Sequence, residues 1–420
     1  MSNTLTEKIL ARASGQNIIT PGDIVDVDVN TAFVHDVFIS GVVEEFSKLP
    51  HKKVWNPNNI VFIADHEVPA VSEWAGECYK TMLRFAEEQQ IKKVHIAEGV
   101  CHQLIPEKGY IGPGMVLVGT DSHSTTHGAL GAFASGIGTT EMASVLATGK
   151  IWLRVPETIH FELTGVLPQG VYAKDIVLSM LGILGAEGAN YKAIEITGSA
   201  VENLSIADRL TICNMAVEMG AKNALFAPDE KTMAYIQQSS ADPSFITTID
   251  APQYDRTINM HLNDIKPMLA FPKGVDDIHG VDEAIGREIH EAFIGSCTNG
   301  RYEDFVVAAN IIRGKRIPKH VRLIITPASM SIYKRLIADG IALDFIDAGG
   351  MITNPGCGLC YGKHGGVLSK TDVAITSNNR NFPGRLGHKD SKVYLASPAT
   401  VAWSAVNGKI SDPMECNGLL

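Results

Sequence analysis

Short apolar, β-branched runs alternate along this chain with stretches whose apolar residues recur every three or four positions. Asn59–Ala64, Lys93–Ala97, Met115–Gly119, Glu291–Gly295, Val321–Thr326 and Val373–Thr376 read as buried strands. Val71–Gln89, Glu141–Leu153, Ala173–Leu184, Ser205–Met219, Tyr302–Ile312 and Ser329–Ala338 read as helices. Ser205 and Asp208 predict a capping box ahead of the fourth of these. Strand–helix alternation implies an α/β protein with parallel sheets and crossover helices. The polar stretch Gln253–Glu283, rich in Asp, Pro and Gly, reads as a link. It separates an N-terminal block, 1–283, from a C-terminal α/β domain, 284–420. No repeat or low-complexity tract interrupts the pattern.

The chain has 420 residues, more than one hydrophobic core usually serves. Hydrophobic residues make up 45% and charged residues 20%, the profile of a soluble globular protein. No apolar run approaches the ~20 residues needed to span a bilayer. The first residues carry no apolar core or cleavage site of a signal peptide. A cytoplasmic protein without membrane contact is therefore expected. In that compartment seven cysteines point to metal or catalysis before disulfides. The formal net charge of −10 argues against a nucleic-acid surface but leaves room for a small anionic substrate, because a few local arginines override the global field.

Four motifs carry candidate chemistry. Cys297 lies in Gly-Ser-Cys-Thr-Asn-Gly directly after a strand, where open α/β sheets place ligands. Cys357 and Cys360 lie in Asn-Pro-Gly-Cys-Gly-Leu-Cys. A closed iron–sulfur or zinc site takes four protein ligands. Three thiolates on a cubane cluster would leave one iron open to act as a Lewis acid. Taken alone, Cys-x-x-Cys equally fits a redox pair or half of a zinc site. Asp121, Ser122, His123 and His127 follow the strand Met115–Gly119 and precede a glycine-rich stretch that lacks the strict dinucleotide spacing. Asp65-His66 closes another strand, and an adjacent carboxylate can hold an imidazole charged or oriented for acid work. His102 lies in Cys-His-Gln; taken alone, either histidine reads first as a satisfied core or loop residue. Arg380 and Arg385, in Asn379-Arg-Asn-Phe-Pro-Gly-Arg, could fork onto a carboxylate or form an exposed basic loop.

Together these segments resemble the aconitase superfamily and, within it, the large subunits of the isopropylmalate dehydratase and homoaconitase group. The resemblance rests on Asp65–His66, Cys101–Gln103, Gly119–His123, Thr126–Phe133, Leu210–Ala221, Gly295–Asp304, Asn354–Cys360 and Asn379–Arg385, in the family's order over nearly the whole chain. It implies a three-domain body of α/β/α layers, two intertwined domains within 1–283 and a third over 284–420. It implies a [4Fe–4S] cluster on Cys297, Cys357 and Cys360 with one open iron. His66 with Asp65 becomes the acid for the leaving hydroxyl. His102, Asp121, Ser122 and His123 line the hydroxyl and carboxylate side. Asn214 and Glu218, expected at i, i+4 on one helix face, approach the cluster, and Asn379, Arg380 and Arg385 bind substrate carboxylates.

The resemblance also implies a small-subunit partner that supplies a swivelling fourth domain and a serine base. The implied reaction is dehydration and rehydration of a hydroxy di- or tricarboxylic acid, with isopropylmalate isomerisation leading. Dimethylmalate, citraconate or homoaconitate chemistry follows. An iron-sensing RNA-binding role and a zinc or redox role are the readings outside that class. The chain departs from the group at His35-Asp36-Val-Phe-Ile-Ser-Gly, where relatives read His-Asp-Gly-Thr and then Pro. That loop is expected near the substrate, so the departure bears on which acid is accepted.

Overall fold

The computed structural model describes residues 3–236 and 252–416. The chain clusters into two compact units. One comprises Met1–Ile96, Leu104–Thr164 and Glu187–Met260; the other comprises Ala97–Gln103, Gly165–Ala186 and His261–Leu420.

The first unit is organised by a five-stranded, all-parallel sheet in the order Lys93–Ile96, Ile60–Ala64, Thr31–His35, Val116–Gly119, Phe133–Gly136. Ile60–Ala64 and Thr31–His35 are buried at every position, which is why Ile60–Ala64 reads as an unbroken apolar run rather than an alternating one. A four-stranded sheet orders Asn223–Phe226, Ala193–Thr197, Thr158–Thr164 and Arg256–His261. In the second unit a seven-stranded sheet runs Ile278–Gly280, Met268–Ala270, Lys392–Leu395, Val373–Thr376, Glu291–Gly295, Arg322–Thr326, Met351–Ile352. Its last five strands are parallel, and Met268–Ala270 joins antiparallel. The fold is thus α/β with mainly parallel sheets. Among the described residues no helix is long and apolar enough to cross a membrane.

Ala173–Leu184, Tyr302–Ile312, Glu291–Gly295 and Val373–Thr376 form with the expected bounds. The capping box forms too: Ser205 Oγ accepts from the Asp208 N–H at 3.1 Å, and Asp208 Oδ2 accepts from the Ser205 N–H at 2.9 Å.

Four expectations are corrected. The helix expected over Glu141–Leu153 is Thr139–Thr148, and it stops at Gly149, whose φ of 71° is left-handed. A Cβ there would lie 2.5 Å from the Trp55 ring. Lys150–Arg154 then alternates exposed and buried residues and pairs antiparallel with Ile24–Asp28. The segment Ser205–Met219 is α-helical only over Ile206–Met215 and tightens to a 3₁₀ turn over Ala216–Met219. The expected loop after His35 is the first turn of a helix, Asp36–Lys48. The stretch read as a link carries the strands Arg256–His261, Met268–Ala270 and Ile278–Gly280.

Candidate active site

In the first unit, adjacent parallel strands deliver Asp36 and the Asp65-His66 pair to one edge of the five-stranded sheet. Asp36 opens the helix Asp36–Lys48, where the helix dipole favours an anion. Its Oδ1 accepts the His66 backbone N–H at 3.2 Å and its Oδ2 that of Glu67 at 2.9 Å. This fastens the turn after Ile60–Ala64 to the helix. The His66 ring lies among three carboxylates: Nδ1 is 2.7 Å from Asp65 Oδ1 and 3.5 Å from Asp36 Oδ1, and Nε2 is 3.4 Å from Asp121 Oδ2. The His35 ring stacks on it at 4.2 Å between centroids. Burial works against the charged imidazole. The charge of Asp65 and the bonds to Asp121, Asp36 and Asp65 outweigh it and raise the His66 pKa well above the usual imidazole value. Burial likewise opposes the Asp36 carboxylate, yet His35 and His66 hold it well below the usual carboxylate range.

This arrangement fixes the sign of a pH effect. A raised His66 pKa keeps the proton on the ring through neutral pH, and that proton is lost as pH rises through the folded-state pKa. In Asp36→Asn one stabilising anion is gone and the pKa falls. The alkaline limb of the pH–rate profile is expected to move toward acid by about one unit or more. An unmoved limb would show that Asp36 does not set the charge of His66.

Asp121 begins the 3₁₀ segment Ser122–Leu130, and its Oδ1 accepts the His123 N–H at 2.7 Å. His123 Nε2 lies 2.7 Å from Glu218 Oε1, both groups buried. Asn214 Nδ2 donates to Thr126 Oγ1 at 2.8 Å. Asn214 and Glu218 therefore both reach this one segment, but not as a helical i, i+4 pair: the 3₁₀ turn after Met215 re-aims Glu218. Ser122 is half-buried on the same turn. His127 is buried edge-on to Phe33.

In the second unit, Cys297 sits on the turn Ser296–Asn299 that leaves the carboxyl end of the central strand Glu291–Gly295. Ser296 has φ 68°, a left-handed conformation costing a non-glycine residue about 1–3 kcal/mol, held at a point where function can use it. The Arg301 guanidinium fastens this turn, donating from Nη1 to the Thr298 carbonyl at 2.7 Å and from Nη2 to the Cys297 carbonyl at 2.8 Å. Cys357 caps the 3₁₀ turn Gly358–Tyr361, and Cys360 lies within it. A Cβ at Gly358, whose φ is 59°, would come within 2.8 Å of Thr326 Oγ1.

The Asn379 side chain joins the two cysteine segments. The Cys360 thiol donates to its Oδ1 at 3.1 Å, and its Nδ2 donates to Cys297 Sγ at 3.4 Å. Arg380 and Arg385 follow, both half-buried. His102 is buried in the first turn of the helix Cys101–Glu107.

Asp36, which the sequence marks only as part of the segment that departs from the group, and Arg301 and Lys174, to which it gives no role, belong to these sites. Lys174 is fully buried, with Nζ donating to the carbonyls of Ser377 at 2.8 Å and Asn378 at 2.5 Å. Burial pulls its ammonium down to about 7, while Cys360, Asp304 and Cys297 pull the other way. Its one sequence signal is the pair Lys174-Asp175 opening an otherwise apolar helix.

The cysteine site suits an iron–sulfur cluster. Three thiols are 4%, 6% and 2% exposed, none is in a disulfide, and a single amide touches two of them as it could touch cluster sulfur. The fully buried Asn378 amide next in sequence has no hydrogen-bond partner among the described residues.

Comparison with known proteins decides the family. The model of the Aconitase family (aconitate hydratase) matches residues 7–408. The chain belongs to the aconitase family. It is 48% identical over 98% of its length to the 3-isopropylmalate dehydratase large subunit 1 of Methanopyrus kandleri, covering 99% of that protein. It is 45% identical over 98% of its length to the probable methanogen homoaconitase large subunit of Methanothermobacter thermautotrophicus, covering 97% of that protein. The fold is similar to that of Thermococcus kodakaraensis aconitase X, with a TM-score of 0.51, 12% identity, and 90% and 93% of the two chains covered. The family implies a [4Fe–4S] cluster and places the chain among hydro-lyases.

Proposed function

We propose that this chain is the cluster-bearing large subunit of a cytoplasmic 3-isopropylmalate dehydratase, acting with a small subunit. The reading is supported by the presence on one chain of Cys297 and Cys360 joined by the Asn379 amide, with Cys357 buried beside Cys360, and of an imidazole held charged by Asp65, Asp36 and Asp121.

Cys297, Cys357 and Cys360 would hold the cluster. When bound, it supplies Lewis acidity at an iron that the protein leaves open. The remaining work falls to side chains. Hydroxide leaves poorly, so a proton must meet it. His66, with Nδ1 committed to Asp65, offers that proton from Nε2. Glu218 fixes the ring of His123, which with Ser122, Asp121 and His102 orients the hydroxyl and carboxylate side. Asn214 steadies the same turn through Thr126. Arg380 and Arg385 clamp carboxylates, and their charge stabilises the one that gains electron density as the carbon proton leaves. Asn379 holds the cage in register with them. The small subunit brings the base for the carbon proton and part of the pocket for the substrate's side chain.

Homoaconitate hydration is the second reading, favoured by the 45% identical homoaconitase relative. The two differ in the substituent beside the reacting carbons, apolar in one acid and carboxylated in the other. The complex with its small subunit, assayed anaerobically against a panel of 2- and 3-hydroxy diacids and triacids, is expected to turn over isopropylmalate with the highest kcat/KM. A preference for homocitrate or cis-homoaconitate would transfer the assignment to the second reading.

A further inference from the structure

We infer that Lys174 is a positioning residue for the cluster: its buried ammonium fixes the Ser377–Asn379 turn that joins the cysteines and supplies a counter-charge behind the thiolates. The inference rests on the reading of Cys297, Cys357 and Cys360 as ligands and extends it to a residue outside the cage.

Lys174 lies in the first turn of the helix Ala173–Leu184, far in sequence from every cysteine, and its side chain is wholly buried. An ammonium in such a place normally pairs with a carboxylate, because the desolvation cost is otherwise uncompensated. Among the described residues no ion pair to its Nζ is found, and both of its hydrogen bonds go to main-chain carbonyls. The adjoining Asp175 is committed elsewhere: its Oδ1 accepts the Met268 N–H at 2.8 Å and its Oδ2 the Tyr172 N–H at 2.9 Å. Lys174 instead donates to two successive backbone carbonyls, Ser377 and Asn378.

Those carbonyls immediately precede Asn379, the residue whose amide spans Cys360 and Cys297. The turn is also tied to the cysteine strand, since the Gly295 N–H donates to Ser377 Oγ at 3.1 Å. The lysine thus clamps the backbone that aims the joining amide. Its charge has a further use. Three thiolates around a dicationic cluster carry one net negative charge into a buried site, and a substrate carboxylate adds more. A fixed cation behind the loop offsets this without occupying a ligand position.

Two variants separate the clamp from the charge. Lys174→Gln keeps a donor for the carbonyls and removes the charge; Lys174→Met keeps the length and removes both. Each is purified anaerobically, loaded with iron and sulfide, and followed by three readouts. These are the loss of visible cluster absorbance under a ferrous chelator, the cluster midpoint potential by EPR-monitored titration, and thermal melting of the apo chain.

In both variants the cluster is expected to bleach about 10–100-fold faster, taking the scale by which removing groups behind metal ligands lowers metal affinity or activity. The midpoint is expected to move to more negative potential, because losing a nearby cation disfavours the added electron. Apo melting should change little in Lys174→Gln. An unchanged bleaching rate and midpoint in Lys174→Gln would overturn the inference. So would a collapse of apo melting in both variants, which would make Lys174 a folding residue. A wild-type chain that takes up no cluster would instead overturn the ligand reading itself.

Discussion

Cys297→Ser, Cys357→Ser and Cys360→Ser are each expected to remove the visible absorbance of the reconstituted cluster and all turnover, while Cys78→Ser and Cys416→Ser leave both in place. The separation follows from placement. Cys297 and Cys360 touch one amide, and Cys357 caps the turn that contains Cys360. Cys78 lies within the helix Glu73–Gln89 of the first unit, 3.3 Å from Ser40 Oγ. Cys416 closes a short turn beyond the last helix, with a thiol pushed up by burial. A cage of three ligands has none to spare, so one substitution should suffice. Iron and sulfide analysis beside the spectrum gives the measure. Full cluster content in Cys360→Ala would remove Cys360 from the ligand set.

The second large effect concerns the chain without its partner. With the cluster loaded, the large chain by itself is expected to turn over at least about 10³-fold more slowly than the complex, the scale lost when a general base is missing. The reason lies in how the histidines are held. His66 is surrounded by carboxylates that keep its proton on, which suits an acid and disqualifies a base. His123 is bound through Nε2 to Glu218. Adding the small subunit should restore the rate without altering the cluster spectrum. Rapid hydration of unsaturated diacids by the large chain alone would place the base within this sequence, with Ser122, His123 and His127 the first positions to substitute.

Much of this site can be read from the sequence because its chemistry is local. A buried parallel strand shows itself as an apolar run, and reactive residues follow its carboxyl end, so Asp65, Asp121 and Cys297 are marked by position as well as by type. What escapes reading is contributed across the chain. Asp36 opens a helix whose first turn, Val37-Phe38-Ile39, reads as an apolar run continuing the strand. Lys174 precedes its carbonyl partners by 203 and 204 residues. Glu218 meets His123 from the 3₁₀ turn that follows Met215, and no periodicity announces that turn. The end of the helix at Thr148 is set by the Trp55 ring against Gly149, a tertiary contact that overrides an otherwise helical composition.

The Arg301 guanidinium holds the main chain of the first cysteine turn by the carbonyls of Cys297 and Thr298, and Asp304 in turn accepts from the Arg301 N–H and the Asn299 amide. None of these bonds involves sulfur. The turn that presents Cys297 is therefore built by the polypeptide before any metal arrives. For the proposed cluster, maturation would then be a loading event on a formed turn rather than a step of folding. On the proposed reading, a chain that has lost its cluster is expected to keep this turn, so iron and sulfide would be reloaded without refolding.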